Sequence, residues 1–413
     1  MPDGPTAADE FSGAVRLLSD TAGGVTVTVQ RMHRAISRRA FGVGGWAALP
    51  VKALHDGISE RVYGGVRTGI AVGGAAVEML SRAAGTWWPR GTLVDSKVAQ
   101  AATGVLNGAF GARAEIRGDP LPSQLTLRVA HRAIPLETAA LAEHYPAPAG
   151  QLVVLLHGLI ETERWWFRRP GEDEPAERDF GARLTADLGS SPVYLRYNTG
   201  RHISENGREL VRFLDELVGA WPVPVTEIVL IGHSVGGLVA RSAVHQAATS
   251  SWLPLVTGLV CLGVPHTGAP LERGANLAAW ALRRFDESAP LGELLALRSP
   301  GVKDLRYGYL HEAQWTGADP DSVRRADLPI ETVIPAGIRQ YFLSATLARA
   351  ENSLLARGIG DLLVMPKSAG DTAQMADRHW VGGLNHFALM HRDEVYQVVL
   401  GWLRDCLGTP VKD

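Results

Sequence analysis

The sequence predicts an α/β protein with a mostly parallel central sheet flanked by helices, preceded by a helical extension. Two observations carry this. After residue 120, short β-branched runs alternate with amphipathic stretches, the rhythm of a parallel sheet covered on both faces. One of those runs, EIVLI (227–231), ends in the glycine-rich turn Gly232-His233-Ser234-Val235-Gly236-Gly237, and a helical pattern follows immediately.

Residues 1–120 form the predicted N-terminal helical extension. They are rich in Gly, Ala and Val and show few strand or turn signals. Gln30 to Phe41 reads as a basic helix bearing Arg31, Arg34, Arg38 and Arg39. Val62 to Ala84 has helical spacing, with Val62, Val66, Ile70 and Val77 approximately on one stripe. Gly65, Gly69 and Gly73 follow at intervals of four and make a smooth ridge. A membrane-surface or self-association element would use such a ridge, and so would a helical hairpin packed on the rest of the chain. Arg67 and Glu78 interrupt the apolar run and favour the hairpin.

The second domain is expected over 121–413. Strands are expected at Leu125–Val129, Leu152–His157, Val193–Tyr197, Glu227–Ile231, Gly258–Gly263, Gln340–Thr346 and Leu362–Met365. The run LVVLLH (152–157) is nearly continuous in apolar residues, as a strand buried on both faces requires. Helices are expected near Glu177–Leu188, Glu205–Val218, Val235–Ala248 and Asp393–Leu407. Residues 266–336 break the rhythm with short helical patterns and many Pro and Gly, and read as a cap or lid insertion.

Composition narrows the function. A hydrophobic fraction of 46% and a charged fraction of 20% are those of a globular chain, and a net charge of −2 gives no electrostatic reason for a nucleic-acid partner. No run of about 18 uncharged apolar residues occurs, and no basic start leads into a signal-like apolar run, so a cytoplasmic protein, at most peripheral to a membrane, is expected. Cys261 and Cys406 lie far apart and match no metal spacing; Cys261 reads as a buried thiol. No metal or organic cofactor is implied.

The turn at 232–236 fits G-x-S-x-G between a buried strand and a helix. Such a turn forces the serine into a strained conformation and lifts its hydroxyl above the sheet edge, and glycines on either side avoid clashes across the turn. A serine hydroxyl attacks only when a base takes its proton, so an acid and a histidine should follow along the chain. His386, in GGLNHFAL just before the last helix, is the preferred base over His379 and His391. Asp361, in GIGDLLV, is the preferred acid over Asp371 and Asp377. The oxyanion hole needs two backbone N–H groups, expected from Val235 and from Leu159 in the His157-Gly158-Leu159 loop. Trp165 and Trp166 would line an acyl-binding wall or pack beneath a helix.

Taken together, LVVLLHGL, IVLIGHSVGGLVAR, LVCLGVPHTGAP, GDLLVMPKSAG and NHFALMHRDEVYQVVLGWL resemble the lipase and esterase branch of the α/β-hydrolase superfamily, over roughly 150–405. The resemblance implies the α/β-hydrolase fold and an esterase acting through an acyl-enzyme. VPHTGAP looks like the PH-x-G segment that lines the site in lipase-like members, which makes His266 a wall residue and not a base. GDLLVMPKSAG looks like their acid-bearing turn and supports Asp361. The insertion matches no lid type, and residues 1–120 lie outside the core, although similar helical extensions occur in actinobacterial α/β-hydrolases. A small-molecule or lipid-like ester with an apolar acyl chain is the expected substrate. An acyltransferase using the same acyl-enzyme and a non-catalytic hydrolase-fold binding protein are the alternatives.

Overall fold

The computed structural model describes residues 7–42, 45–84, 97–116, 124–167, 179–286, 288–317, 319, 321, 332–346 and 376–408. Three helices come first: α1 (Ala7–Gly42), α2 (Leu49–Ala84) and α3 (Lys97–Ile116). A hairpin of β1 (Thr126–Val129) and β2 (Arg132–Ile134) leads through α4 (Thr138–His144) to β3 (Gln151–Leu156). Then follow α5 (Phe180–Leu188), β4 (Ser191–Arg196), α6 (Ile203–Ala220), β5 (Glu227–His233), α7 (Val235–Gln246) and β6 (Val256–Leu262). Helices α8 (Pro270–Leu282), α9 (Ala289–Ala296) and α10 (Pro300–Asp304) precede β7 (Arg339–Thr346), β8 (Ala376–Gly382) and α11 (Asp393–Cys406).

The chain divides into two compact units. The first gathers Met1–Pro122, Arg273–Ser299 and Asp321–Val323. Here α1 and α2 form a helical hairpin. Arg67 and Glu78, the charges that interrupt the apolar run, bond back to Gln30 and Arg16 of α1. The glycine that admits α1 is Gly74, where a Cβ would lie 2.2 Å from the Ser19 hydroxyl. Gly65, Gly69 and Gly73 have nothing within 4 Å of that position among the described residues, so the ridge is not the hairpin contact. Leu54, Ile58, Val62 and Val66 of α2 are exposed. Residues 273–299, which the sequence groups with the 266–336 insertion, belong to this unit: Arg31 pairs with Glu293, and the Ser299 hydroxyl donates to the Gly108 carbonyl at 2.5 Å.

The second unit holds one eight-stranded sheet in the order β2-β1-β4-β3-β5-β6-β7-β8. Strand β1 runs antiparallel to both β2 and β4, and the remaining pairings are parallel. The alternation of side chains along each strand separates two cores. Leu152, Val154 and Leu156 of β3 join Ile228 and Leu230 of β5 and Cys261 of β6 on one face, with α6 and α7 over them. Val153, Leu155, Val229, Ile231, Val260 and Leu262 point to the other face, beneath α5 and α11. Two covered faces explain why these strands lack polar alternation.

Two strands carry no signal in the sequence. The β1–β2 hairpin turns at Ala130 and His131, whose φ values of 46° and 66° occur without the glycine or asparagine that usually signals such a turn. Strand β8 carries Asp377, Arg378 and His379, all exposed, because among the described residues it is the sheet edge and pairs with β7 alone. The expected strand Leu362–Met365 lies outside the described residues.

The chain leaves β3 for β4 on one side and returns to β5 on the other. That reversal makes the C-terminal ends of β3 and β5 the topological switch point of the sheet, the place where open α/β sheets bind ligands.

Candidate active site

Ser234 stands at this switch point, one residue past β5 and one before α7. Its backbone has φ 52° and ψ −124°, a conformation that costs on the order of 1–3 kcal/mol in a non-glycine residue. The turn can close this tightly only around glycines. A Cβ on Gly232 would lie 2.3 Å from the Gly237 nitrogen, and one on Gly236 would lie 2.6 Å from the Leu156 carbonyl oxygen. The Ser234 amide donates to Leu262 at 2.9 Å, which ties the turn to the end of β6. Its side chain is only half-buried, so a reactant can reach it.

His386 arrives from the other end of the sheet. Beyond β8 the chain folds back on β7 through Gly383 and Leu384, whose amides both donate to the Thr346 carbonyl, at 2.7 and 3.1 Å. Asn385 caps a single 3-10 turn over His386–Met390, its side chain accepting from the Ala388 amide at 3.0 Å. The His386 ring is buried against Gly263, where a Cβ would sit 3.2 Å from its Nδ1 and Cε1. Gly263 directly follows Leu262, the acceptor of the Ser234 amide. The serine and this histidine therefore share the ends of β5 and β6, although 152 positions separate them.

The rivals do not. His379 is exposed on β8, and His391 closes the 3-10 turn with its ring 6.4 Å from that of Trp165. Asp377 is exposed on β8, while Asp361 and Asp371 lie outside the described residues.

The loop after β3 faces the turn. The Tyr197 hydroxyl donates to the His157 carbonyl at 2.6 Å, and the Thr199 hydroxyl donates to that of Leu159. The Gly158 amide donates to Glu161 at 2.5 Å. Among the described residues, neither the Leu159 amide nor that of Val235 donates a hydrogen bond. His157 is fully buried and stacks on Tyr197 at 4.5 Å, with its Nδ1 donating to the Gly158 carbonyl at 2.9 Å. Burial pushes its pKa down to about 4, so the ring is a neutral strut of the loop.

Two buried groups beside the turn carried no sequence signal. His233, the variable residue of the motif, is fully buried, with Nδ1 2.9 Å from Glu161 Oε2 and Nε2 3.1 Å from the His386 carbonyl oxygen. Glu161 is buried with it. Burial pushes its carboxyl up, but the charge and hydrogen bond of His233 and the Gly158 amide outweigh that and hold it below the ordinary range. The partners lie 72 positions apart, which no spacing rule would join.

A family model described as a PGAP1-like alpha/beta domain matches residues 195–282, from the end of β4 through the serine turn into α8. Over that stretch, about a fifth of its length, the chain is similar to that domain, and its mostly parallel sheet with flanking helices is the fold the sequence predicts. No curated protein matches this chain in sequence. Solved structures similar to it include the lin2722 gene product of Listeria innocua, at 12% identity over 63% of this chain and 95% of the other, with a TM-score of 0.37. Another is the esterase RhEst1 from Rhodococcus sp. ECU1013, at 17% identity, 64% and 93% coverage and a TM-score of 0.34. A third is MenH from S. aureus, at 12% identity, 69% and 99% coverage and a TM-score of 0.35.

The adjacent pair Trp165 and Trp166 part company. Trp166 is fully buried and meets Phe180 edge-on at 5.3 Å, so it belongs to the core and not to a substrate wall. Packing wins because its side chain points to the face covered by α5 and α11. Trp165 is half-buried and lies 5.1 Å from Phe387, beside the turn that carries His386. His266 is half-buried, with Nδ1 accepting from Arg241 at 2.7 Å and its ring edge-on to Phe342 at 4.8 Å.

Among the described residues no group of three or more His, Cys, Asp or Glu gathers as metal ligands, and no helix is long and apolar enough to cross a membrane. A hollow of about 710 Å³ in the first unit is lined by Arg31, Arg34 and Lys52 together with their ion-pair partners Glu293, Glu60 and Asp56, which balance their charge.

Proposed function

We propose that this chain is a serine hydrolase that cleaves carboxylic esters through an acyl-enzyme, with apolar acyl chains preferred. One observation supports the reading above all: Ser234 occupies a strained, reachable turn, and the ring of His386 rests on the residue after its amide's acceptor.

In this reading the Ser234 hydroxyl oxygen attacks the ester carbonyl while His386 takes its proton. The carbonyl oxygen becomes an oxyanion facing the Leu159 and Val235 amides, two donors with no competing acceptor among the described residues. The tetrahedral species collapses, the alcohol leaves with the proton from His386, and an acyl-serine remains. Water, deprotonated by His386, then releases the carboxylic acid and restores the serine. Asp361 is the carboxylate assigned to orient His386, on sequence grounds. Trp165, beside Phe387, is assigned to the acyl-binding wall, with His266 further along it.

Turnover of short- and long-chain p-nitrophenyl esters by the wild type and Ser234→Ala tests this. The variant should lose activity by about a millionfold, and a fluorophosphonate probe should label only the wild type, at Ser234. Equal rates in the two proteins would refute the assignment.

A further inference from the structure

The turn that presents Ser234 also presents a second, wholly buried side chain that the proposed chemistry does not use. His233 points into the protein with both ring nitrogens occupied: Nδ1 lies 2.9 Å from Glu161 Oε2, and Nε2 lies 3.1 Å from the carbonyl oxygen of His386. A carbonyl oxygen only accepts, and so does an ionised carboxylate. A neutral imidazole has a single N–H and can satisfy one of them. Turning the ring over would place carbon atoms against both oxygens.

The proton could reside on Glu161 instead, with a neutral His233 accepting from it. The geometry at Oε2 disfavours that arrangement. The same oxygen already accepts from the Gly158 amide at 2.5 Å. Two N–H groups converging on one oxygen suit a carboxylate and not a hydroxyl. The buried Glu161 carboxyl is also held below its ordinary range, against the effect of burial, chiefly by the His233 charge.

We infer that His233 is an imidazolium paired with ionised Glu161, and that this buried ion pair is the positioning device of the active site. It joins three loops. Glu161 holds the Gly158 amide, next to the Leu159 donor; His233 adjoins the serine; and its second N–H holds the backbone of His386. Each contact fixes backbone and not a reacting atom, so both residues position the machinery and neither is catalytic. The inference rests on the proposed serine chemistry only for what is positioned.

Among the described residues, three titratable groups face the pair. His386 faces His233 across 4.7 Å between ring centroids and also acts on Glu161. Tyr197, after β4, is kept protonated by burial and by Glu161, and His157, after β3, is kept neutral mainly by burial. Among these neighbours Glu161 is the anion that compensates a charge on His233.

Nitrogen-15 NMR of histidine-labelled wild-type protein at pH 8 tests the pair, with His233 assigned by the signals lost in His233→Gln. The expected result is two protonated ring nitrogens on His233, at a pH where an ordinary histidine, with a pKa of about 6.5, is neutral. In Glu161→Gln the ring should become a neutral tautomer. That variant should also lose kcat for ester turnover by about a hundredfold, with KM changed less than about threefold, because misplaced loops slow the chemistry more than they weaken binding. A neutral His233 in the wild type overturns the ion pair, and an unchanged kcat in Glu161→Gln overturns the positioning role. The wild-type spectrum gives the ring's charge whether or not the Glu161→Gln variant folds. Absence of ester turnover by the wild type refutes the proposed function alone, since ring protonation is read without substrate.

Discussion

His233 Nε2 lies 3.1 Å from the backbone carbonyl oxygen of His386, so the residue before the serine holds the backbone of the residue assigned as its base. A single contact across 153 positions thereby couples the β5–α7 turn to the loop beyond β8. Side-chain packing alone would leave that loop free to shift along the sheet edge. A directed bond between two buried groups removes that freedom, and catalysis by proton transfer needs it removed.

Gly236, like Gly232, should resist replacement, and its substitution reports on the β3 loop. A Cβ there would lie 2.6 Å from the Leu156 carbonyl oxygen and 2.7 Å from that of His157, both backbone atoms that cannot swing aside. Gly236→Ala should push the β3 loop away from the turn, destabilising the protein by about 1–3 kcal/mol and lowering kcat by about a hundredfold. Thermal melting and steady-state turnover measure both. A Gly236→Ala protein with wild-type turnover would show that the loop's place does not matter.

Glu163 and Arg196 form a fully buried bidentate pair, with two N–O distances of 2.6 Å, just before the tryptophans. Burial pushes the Glu163 carboxyl up, but His131, with Nδ1 3.7 Å away, and the Arg196 guanidinium hold it far below its ordinary value. Glu163→Gln leaves a buried cation uncompensated and should cost about 3–5 kcal/mol at pH 7. The unfolded chain takes up this proton near pH 4.5 and the folded one only well below it. The difference between variant and wild type should therefore shrink as pH falls below about 4.5. Urea titrations at pH 7 and pH 3.5 would show it.

Much of this fold is written locally. LVVLLH and EIVLI name themselves as two-sided strands because nearly every residue is apolar, and Gly232 and Gly236 mark a turn that nothing bulkier would close. Strand β1 is legible as Leu125–Val129, but its turn and β2 are not, because Ala130 and His131 adopt positive φ without turn chemistry, held by strand pairing on both sides. Strand β8 is invisible because an edge strand exposing Asp377, Arg378 and His379 needs no apolar periodicity. At the site, Ser234 and His386 can be chosen from motif and chain order. Glu161 and His233 cannot, since a buried ion pair is defined by two distant partners and neither neighbourhood records the other.

Trp165 and Trp166 are adjacent in sequence and opposite in environment, so their alanine variants should diverge. Trp166→Ala empties a fully buried site against Phe180 and should cost about 3–5 kcal/mol of stability, with relative rates across acyl chain lengths unchanged. Trp165→Ala removes a half-buried ring beside Phe387 and should cost about 1 kcal/mol while altering the rate ratio of long to short esters. The pair of measurements is melting temperature and a chain-length series. Loss of chain-length preference in Trp166→Ala alone would reverse the assignment.

His157 should set the acid limit of the fold. Its ring is buried, stacked on Tyr197, and has its pKa pushed down to about 4 from 6.5, first by burial. Between those values the unfolded chain binds a proton that the folded chain refuses. Stability from this residue is therefore complete above pH 6.5 and is lost as pH falls towards 4. Each tenfold difference in proton affinity between the folded and unfolded chains is worth roughly 1.4 kcal/mol, so the full loss is about 3 kcal/mol. His157→Gln removes the titrating group and keeps an amide that can donate to the Gly158 carbonyl. The variant should be less stable than the wild type at pH 7.5, yet its stability should fall less steeply between pH 6.5 and 4. Parallel slopes in the two proteins would mean that His157 is protonated in the folded state, and the loop carrying the Leu159 amide would then be held by a charged ring.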